Sequence, residues 1–272
     1  MSATRCLGAF LASSLLANAC ARAPAPPSDP FAGRWVDLSY DFSGETIYWP
    51  TSKPFSLEVV SAQRTAAGYY YAANNFCAAE HGGTHLDAPV HLAEGKQTSD
   101  QIPLSRLIGA AAVVDVTADA ASSPEYVIPV AALEGWERRN GRIADGAIVL
   151  FRTGWGARWP DRERYLGTAK TGSAGVAELH FPGIAPSTAR WLANERRVGA
   201  VGIDTASIDP GQSKTFDTHQ ILFAANIPAF ENVANLETLP ERGAHVVALP
   251  MKIKGGSGGP LRIVALIGEP PR

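Results

Sequence analysis

Along most of this 272-residue chain, apolar residues come in short runs bounded by glycine, proline or aspartate. Runs rich in Val, Ile, Tyr and Phe with such boundaries predict strands. They cover Trp35–Ser39, Ser56–Ser61, Tyr69–Cys77, Ala111–Val116, Ala147–Arg152, Ala200–Ile203, Ala244–Met251 and Leu261–Ile267. Helical spacing appears over Val130–Arg138 and Ser187–Arg197. In the second, Ala189, Leu192 and Ala193 share a face, Pro186 stands at the start and Gly199 just past the end. The strand-helix-strand order from Ala147 to Ile203 predicts some parallel pairing, and with it an α/β domain over residues 31–272.

The first thirty residues break this pattern. Met1–Arg5 is short and basic, and Cys6–Ala17 is an apolar run too short to span a membrane. Ala17-Asn18-Ala19 resembles a signal-peptidase site. Residues 1–20 therefore read as an export signal, which places the mature protein in the periplasm. Cys20 leaves open a lipoprotein signal, and with it a lipid anchor in the membrane. Residues 21–30 form a Pro/Ala linker, extended and semi-rigid.

Composition narrows the function classes. An apolar share of 46% with 18% charged residues suits a domain with a sizeable core. A net charge of −2 without a Lys/Arg cluster excludes a nucleic-acid partner of the usual electrostatic kind. The cysteines give no disulfide framework. Cys77, in an apolar run, reads as a buried inert thiol.

The chemistry concentrates in His81-Gly82-Gly83-Thr84-His85-Leu86-Asp87-Ala88-Pro89-Val90-His91. Three of the six histidines and a carboxylate share this segment at odd positions, so an extended chain can turn them to one face. Gly82, Gly83 and Pro89 oppose a helix. Gly82-Gly83 allows close backbone approach, and Pro89 ends pairing and turns His91 toward the site. Imidazole and carboxylate are the ligands of a catalytic divalent metal, so His81, His85 and Asp87 are the first candidates. Such a metal acidifies water and polarises a carbonyl, and His91 can carry the proton. More ligands are expected from His219 and from Glu231, a charge among apolar residues whose burial a cation would explain. His180 reads as a loop histidine without a partner and His245 as solvent-facing. Gly255-Gly256-Ser257-Gly258-Gly259-Pro260 lacks the Lys-Ser/Thr of a phosphate loop and reads as a flexible or close-packed turn.

The segment resembles the H-x-G-T-H-x-D-x-P-x-H signature of the metal-dependent cyclase-family hydrolases, which include isatin hydrolases and bacterial N-formylkynurenine formamidases. The resemblance runs from Asp37-Leu38-Ser39 to the last strand and takes in Thr218-His219 and Glu231-Asn232. It implies a swivelling β/α/β cyclase-like fold with a mixed sheet, in a homodimer or higher homo-oligomer. It implies one or two divalent ions per chain, Mn²⁺ or Zn²⁺. His81, His85 and Asp87 would hold the first, and Asp87, His219 and Glu231 the second, with His91 as general acid/base.

The reaction it implies is hydrolysis of an activated amide beside an aromatic ring: ring opening of isatin to isatinate or, alternatively, hydrolysis of N-formylkynurenine to kynurenine and formate. A third reading is a secreted metal- or ligand-binding protein without turnover. The chain is longer than the compact formamidases, and its 154–160 and 208–213 segments look like the isatin-hydrolase branch. The export signal also fits poorly with cytosolic tryptophan breakdown. No cation near the motif offers to hold an amino-acid carboxylate. An apolar, aromatic pocket is expected, with Phe42, Tyr48 and Trp49 as ring-stacking candidates and Trp155 and Trp159 behind them.

Overall fold

The computed structural model describes residues 31–268; the expected signal, the Pro/Ala linker and Cys20 lie outside the described residues. The strands are β1 (Arg34–Asp37), β2 (Ser56–Arg64), β3 (Tyr70–Cys77), β4 (His85–Asp87), β5 (Ile108–Asp115), β6 (Val127–Ile128), β7 (Ile148–Arg152), β8 (Gly183–Ile184), β9 (Ala200–Ile203), β10 (Ala229–Glu231), β11 (Arg242–Pro250) and β12 (Gly258–Ile267). The helices are α1 (Leu104–Leu107), α2 (Thr117–Ala121), α3 (Val130–Asn140), α4 (Arg162–Leu166), α5 (Gly172–Val176), α6 (Pro186–Trp191) and α7 (Asp217–Ala224).

The main sheet is mixed and closes on itself. Its order is β12-β11-β5-β7-β9-β10-β4, and β4 returns to β12 through Asp87, Leu86 and His85 facing Gly258, Gly259 and Pro260. Further along the same edge of β12, β1 pairs antiparallel. The expected mixed α/β sheet is therefore present, and the return of β4 to β12 closes it into a barrel. The parallel pairs are β5–β7, β7–β9 and β9–β10. These strands are apolar on both faces because both are covered. Val113, Leu150 and Phe230 point into the barrel core with Leu86 and Ile263. Val114, Phe151 and Ile203 point outward under α3, α6 and α7, meeting Leu133, Ala189 and Phe223.

Helix α3 begins where the periodicity places it. The second predicted helix starts after Ala185 but gives way to a π-turn over Leu192–Arg196, and Arg197 in a left-handed conformation ends it two residues before Gly199.

Strands β2 and β3 form a separate two-stranded hairpin. It leaves Leu57, Val59, Val60, Tyr69, Tyr70, Tyr71 and Phe76 exposed. Cys77 lies at its end and is exposed, which corrects the buried reading: an apolar run on a hairpin that leaves the barrel is not a core run.

Candidate metal centre and active site

The site is built by register. On β4, Leu86 points into the barrel, so His85 and Asp87 point outward. On β10, Phe230 points inward and Glu231 outward, and Glu231 lies directly across from His85. Helix α7 packs over this outer face and delivers His219, buried rather than on the helix surface. The period-two alignment expected from His81 to His91 holds only for His85 and Asp87. A kink at Gly82-Gly83 carries His81 in, and a 3₁₀ turn over Pro89–His91 carries His91 in. A Cβ on Gly82 would stand 2.1 Å from the Tyr48 ring, and Gly83 has φ +57°, so both positions require glycine.

Asp87 stands at the centre. Its Oδ1 is 2.6 Å from His81 Nδ1 and 3.1 Å from His85 Nε2, and its Oδ2 is 3.2 Å from His219 Nε2. Glu231 lies 3.5 Å from His85 Nε2 and 3.2 Å from His219 Nε2. Two potential metal triads thus share Asp87: His81, His85, Asp87 and Asp87, His219, Glu231.

The partners behind the ligands leave the correct nitrogens free. His85 Nδ1 is 3.0 Å from the Gly83 carbonyl, and His219 Nδ1 is 2.5 Å from Asp209 Oδ2. Both oxygens accept only, so each Nδ1 carries a hydrogen, and each Nε2, which faces Asp87, is the nitrogen open to a metal. Asn232 holds the Gly83 carbonyl through Nδ2, and Tyr165 holds Asn232. The backbone amides of Thr218 and His219 donate to Asp209.

Electrostatics calls for a cation here. Asp87 and Glu231 are almost completely buried, and their ion-pair partners among the described residues are histidines. Burial alone would raise the Asp87 carboxyl; His81, His85 and the bond from His219 outweigh it and hold it well below the usual range. Burial and the charge of Asp87 push Glu231 up. Burial opposes protonation of His85, but Asp87 and Glu231 overcome it and raise its pKa to about 9. His219 is raised well above its ordinary value, burial being outweighed by Asp209, Asp87 and Glu231. Without metal, protons on His85 and His219 balance the buried carboxylates; a divalent ion fits the same nitrogen and oxygen donors.

His91 differs from the ligands. Its ring stacks on His81 at 3.9 Å, and the residue is exposed at the cavity mouth. Loss of hydration against the cavity wall pulls its pKa down to about 4, with Asp87 opposing and the neighbouring histidines reinforcing. It is a neutral imidazole at neutral pH, outside both triads.

A cavity of about 290 Å³ opens over the cluster, walled by Tyr48, Trp49, Leu92 and Phe216. Tyr48 and Trp49 thus lie where stacking candidates should be, whereas Phe42 packs behind Gly83 and against Phe55. Trp155 is buried with its indole N–H on the Tyr165 carbonyl, and Trp159 stacks on Tyr40, so neither lines this cavity. His180 pairs with Glu125 at the surface, where no partner was expected, and His245 is exposed. Sequence reasoning passed over Phe216, Glu80, Ser257 and the support role of Asp209. The available signals were an aspartate before proline and a lone serine inside a glycine run.

Residues 36–210 match the putative cyclase family. The chain belongs to that family. It is 33% identical to the isatin hydrolase of Roseibium aggregatum over 208 residues, covering 74% of this chain and 76% of that protein. The structure of isatin hydrolase A from Ralstonia solanacearum superposes with a TM-score of 0.77 at 35% identity, covering 86% of this chain and 92% of that one. The kynurenine formamidase of Salinibacter ruber is 30% identical over 234 residues, covering 84% of this chain and 95% of that protein. This cyclase-family chain is an enzyme, a metal-dependent amidohydrolase acting on non-peptide carbon–nitrogen bonds.

Proposed function

We propose that the enzyme opens the cyclic amide of isatin-like substrates, adding water to give the isatinate. The observation that carries this choice is the cavity wall. It is apolar and aromatic above the His/carboxylate cluster, and none of its lining residues is Lys or Arg. A flat, uncharged lactam suits it; the ammonium and carboxylate of N-formylkynurenine would lie against apolar rings with no Lys or Arg among the described lining residues. The likeness to isatin hydrolases supports the same choice.

His81, His85 and Asp87 would hold the first Mn²⁺ or Zn²⁺, and Asp87, His219 and Glu231 would hold a second where two are present. When bound, the metal supplies Lewis acidity, acidifying water and polarising the amide carbonyl. Trp49 and Phe216 confine the substrate ring. The buried Tyr48 hydroxyl, which has no hydrogen-bond partner among the described residues, meets a polar group of the substrate. Neutral His91 accepts the proton of the attacking water and passes it to the departing amide nitrogen as the carbon–oxygen bond forms and the carbon–nitrogen bond breaks. The leaving amine stays tethered to the ring, so the lactam becomes an aryl amine with an α-keto carboxylate.

The reading extends to the whole molecule: an exported, periplasmic enzyme, anchored through Cys20 if that residue is lipidated, and a homodimer whose second copy covers the exposed hairpin. The substrate test is a comparison of kcat/KM on isatin and on N-formylkynurenine. Preference for isatin supports the proposal; preference for the formamide replaces it with the arylformamidase reading, and turnover of neither by the metal-loaded protein favours the non-catalytic one.

A further inference from the structure

The glycine-rich turn before β12 has no part in the site so far described, yet it ends against His81. Ser257 Oγ lies 2.9 Å from His81 Nε2 and 2.6 Å from Glu80 Oε2, and the Ser257 amide donates to the same Glu80 oxygen at 3.0 Å. The polarity of this chain of bonds is forced. A carboxylate accepts only, so the one hydroxyl hydrogen of Ser257 goes to Glu80. Ser257 Oγ then accepts from His81, and Nε2 must carry that hydrogen. The other ring nitrogen, Nδ1, faces Asp87 at 2.6 Å.

The glycines around Ser257 are what let it reach. A Cβ on Gly256 would stand 2.8 Å from Glu80 Oε1. A Cβ on Gly258 would stand 2.5 Å from the Leu86 carbonyl and 2.7 Å from His81 Cε1. Both are closer than side-chain carbons approach, so the turn lies flat on the metal segment only because these positions are bare. Its place is fixed from the other side by Asp100, whose carboxylate accepts from the Gly255 amide at 2.9 Å.

We propose that Glu80 and Ser257 are positioning residues for the metal centre: a Glu80–Ser257–His81 relay, delivered by the glycine-rich turn, that fixes the Nε2–H form of His81 and presents its Nδ1 lone pair to the ion. His81 is the most exposed of the three histidine ligands and lacks the carbonyl or carboxylate that His85 and His219 have behind them. The relay supplies that missing support. It rests on the metal-hydrolase reading of the site.

The test is the rate at which the Mn²⁺- or Zn²⁺-loaded enzyme surrenders its metal to a chelator. Loss of an outer hydrogen-bond partner of a metal-bound imidazole costs about 10–100-fold in affinity or activity. Ser257→Ala and the isosteric Glu80→Gln are expected to release metal roughly 10–100-fold faster. Ser257→Thr, which keeps the hydroxyl, should recover most of the loss, and KM should stay near the wild-type value because neither residue lines the substrate cavity. In the zinc-loaded protein, long-range ¹H–¹⁵N spectra should show the His81 hydrogen on Nε2. Wild-type release rates in both Ser257→Ala and Glu80→Gln, or a hydrogen on Nδ1, would overturn the relay while leaving the metal centre intact. A wild-type protein that holds no metal would instead overturn the reading on which the relay rests.

Discussion

Asp87 and His91 stand four positions apart and are expected to fail in different ways. Asp87 belongs to both triads, so Asp87→Ala removes the shared anion and leaves opposing imidazoles without their central partner. Metal analysis of the purified variant should find little ion and little activity; full metal content would contradict the coordination. His91 belongs to neither triad; its ring stacks on His81 and stands edge-on to His219 at 6.3 Å. His91→Ala should keep its metal and lose about 10²–10⁴-fold in kcat, the usual worth of a positioned acid/base. Undiminished turnover would remove His91 from the reaction. These ligand types were legible because histidine and carboxylate crowd one segment. Glu80, Ser257 and Asp209 were not, because their importance comes from a hydrogen bond to another side chain and single-residue chemistry does not announce it.

At the scale of elements, short apolar runs bounded by Gly, Pro or Asp identified the longer barrel strands because burial on one or both faces writes itself into period and composition. Strands β4 and β10 left no such trace. Each has three residues, and each turns a ligand to one side and a core residue to the other. Their existence depends on neighbours far away in sequence: Glu231 meets His85 across the pair, and Pro260 flanks His85 from β12. Phe230, fully buried between Glu231 and the barrel core, anchors that register. Phe230→Ala should cost about 3–5 kcal/mol by urea denaturation. It should also weaken metal retention, since a loosened β10 no longer aims Glu231. A loss under 1 kcal/mol, far from the range for a buried aromatic, would show that the register is held elsewhere.

At the scale of the molecule, closure of the barrel follows from β4 meeting the first residues of β12, a contact no local pattern encodes. The hairpin of β2 and β3 poses the opposite case, where pattern misleads. Its apolar run reads as burying Cys77, and the chain alone leaves that run in solvent. Two strands by themselves are marginal in water. Seven large apolar side chains, each leaving on the order of 100 Å² exposed, come to about 700 Å², close to the roughly 800 Å² per partner of a standard interface. The hairpin carries few charges, and a second copy of the chain is the partner we expect. Light scattering should give a dimer for the protein lacking residues 1–20 and a monomer for Val59→Glu/Tyr71→Glu. A wild-type monomer at micromolar concentration would refute the dimer.

The central claim is that the His/carboxylate cluster under the aromatic cavity is a metal-dependent lactam hydrolase. Its most direct test is the loss of isatin absorbance with purified protein lacking residues 1–20, with Mn²⁺ or Zn²⁺ added and again with a chelator. The account predicts rapid loss that the chelator abolishes and added metal restores. Isatin left intact by a protein that holds stoichiometric metal, or consumed equally fast in the presence of chelator, would contradict it.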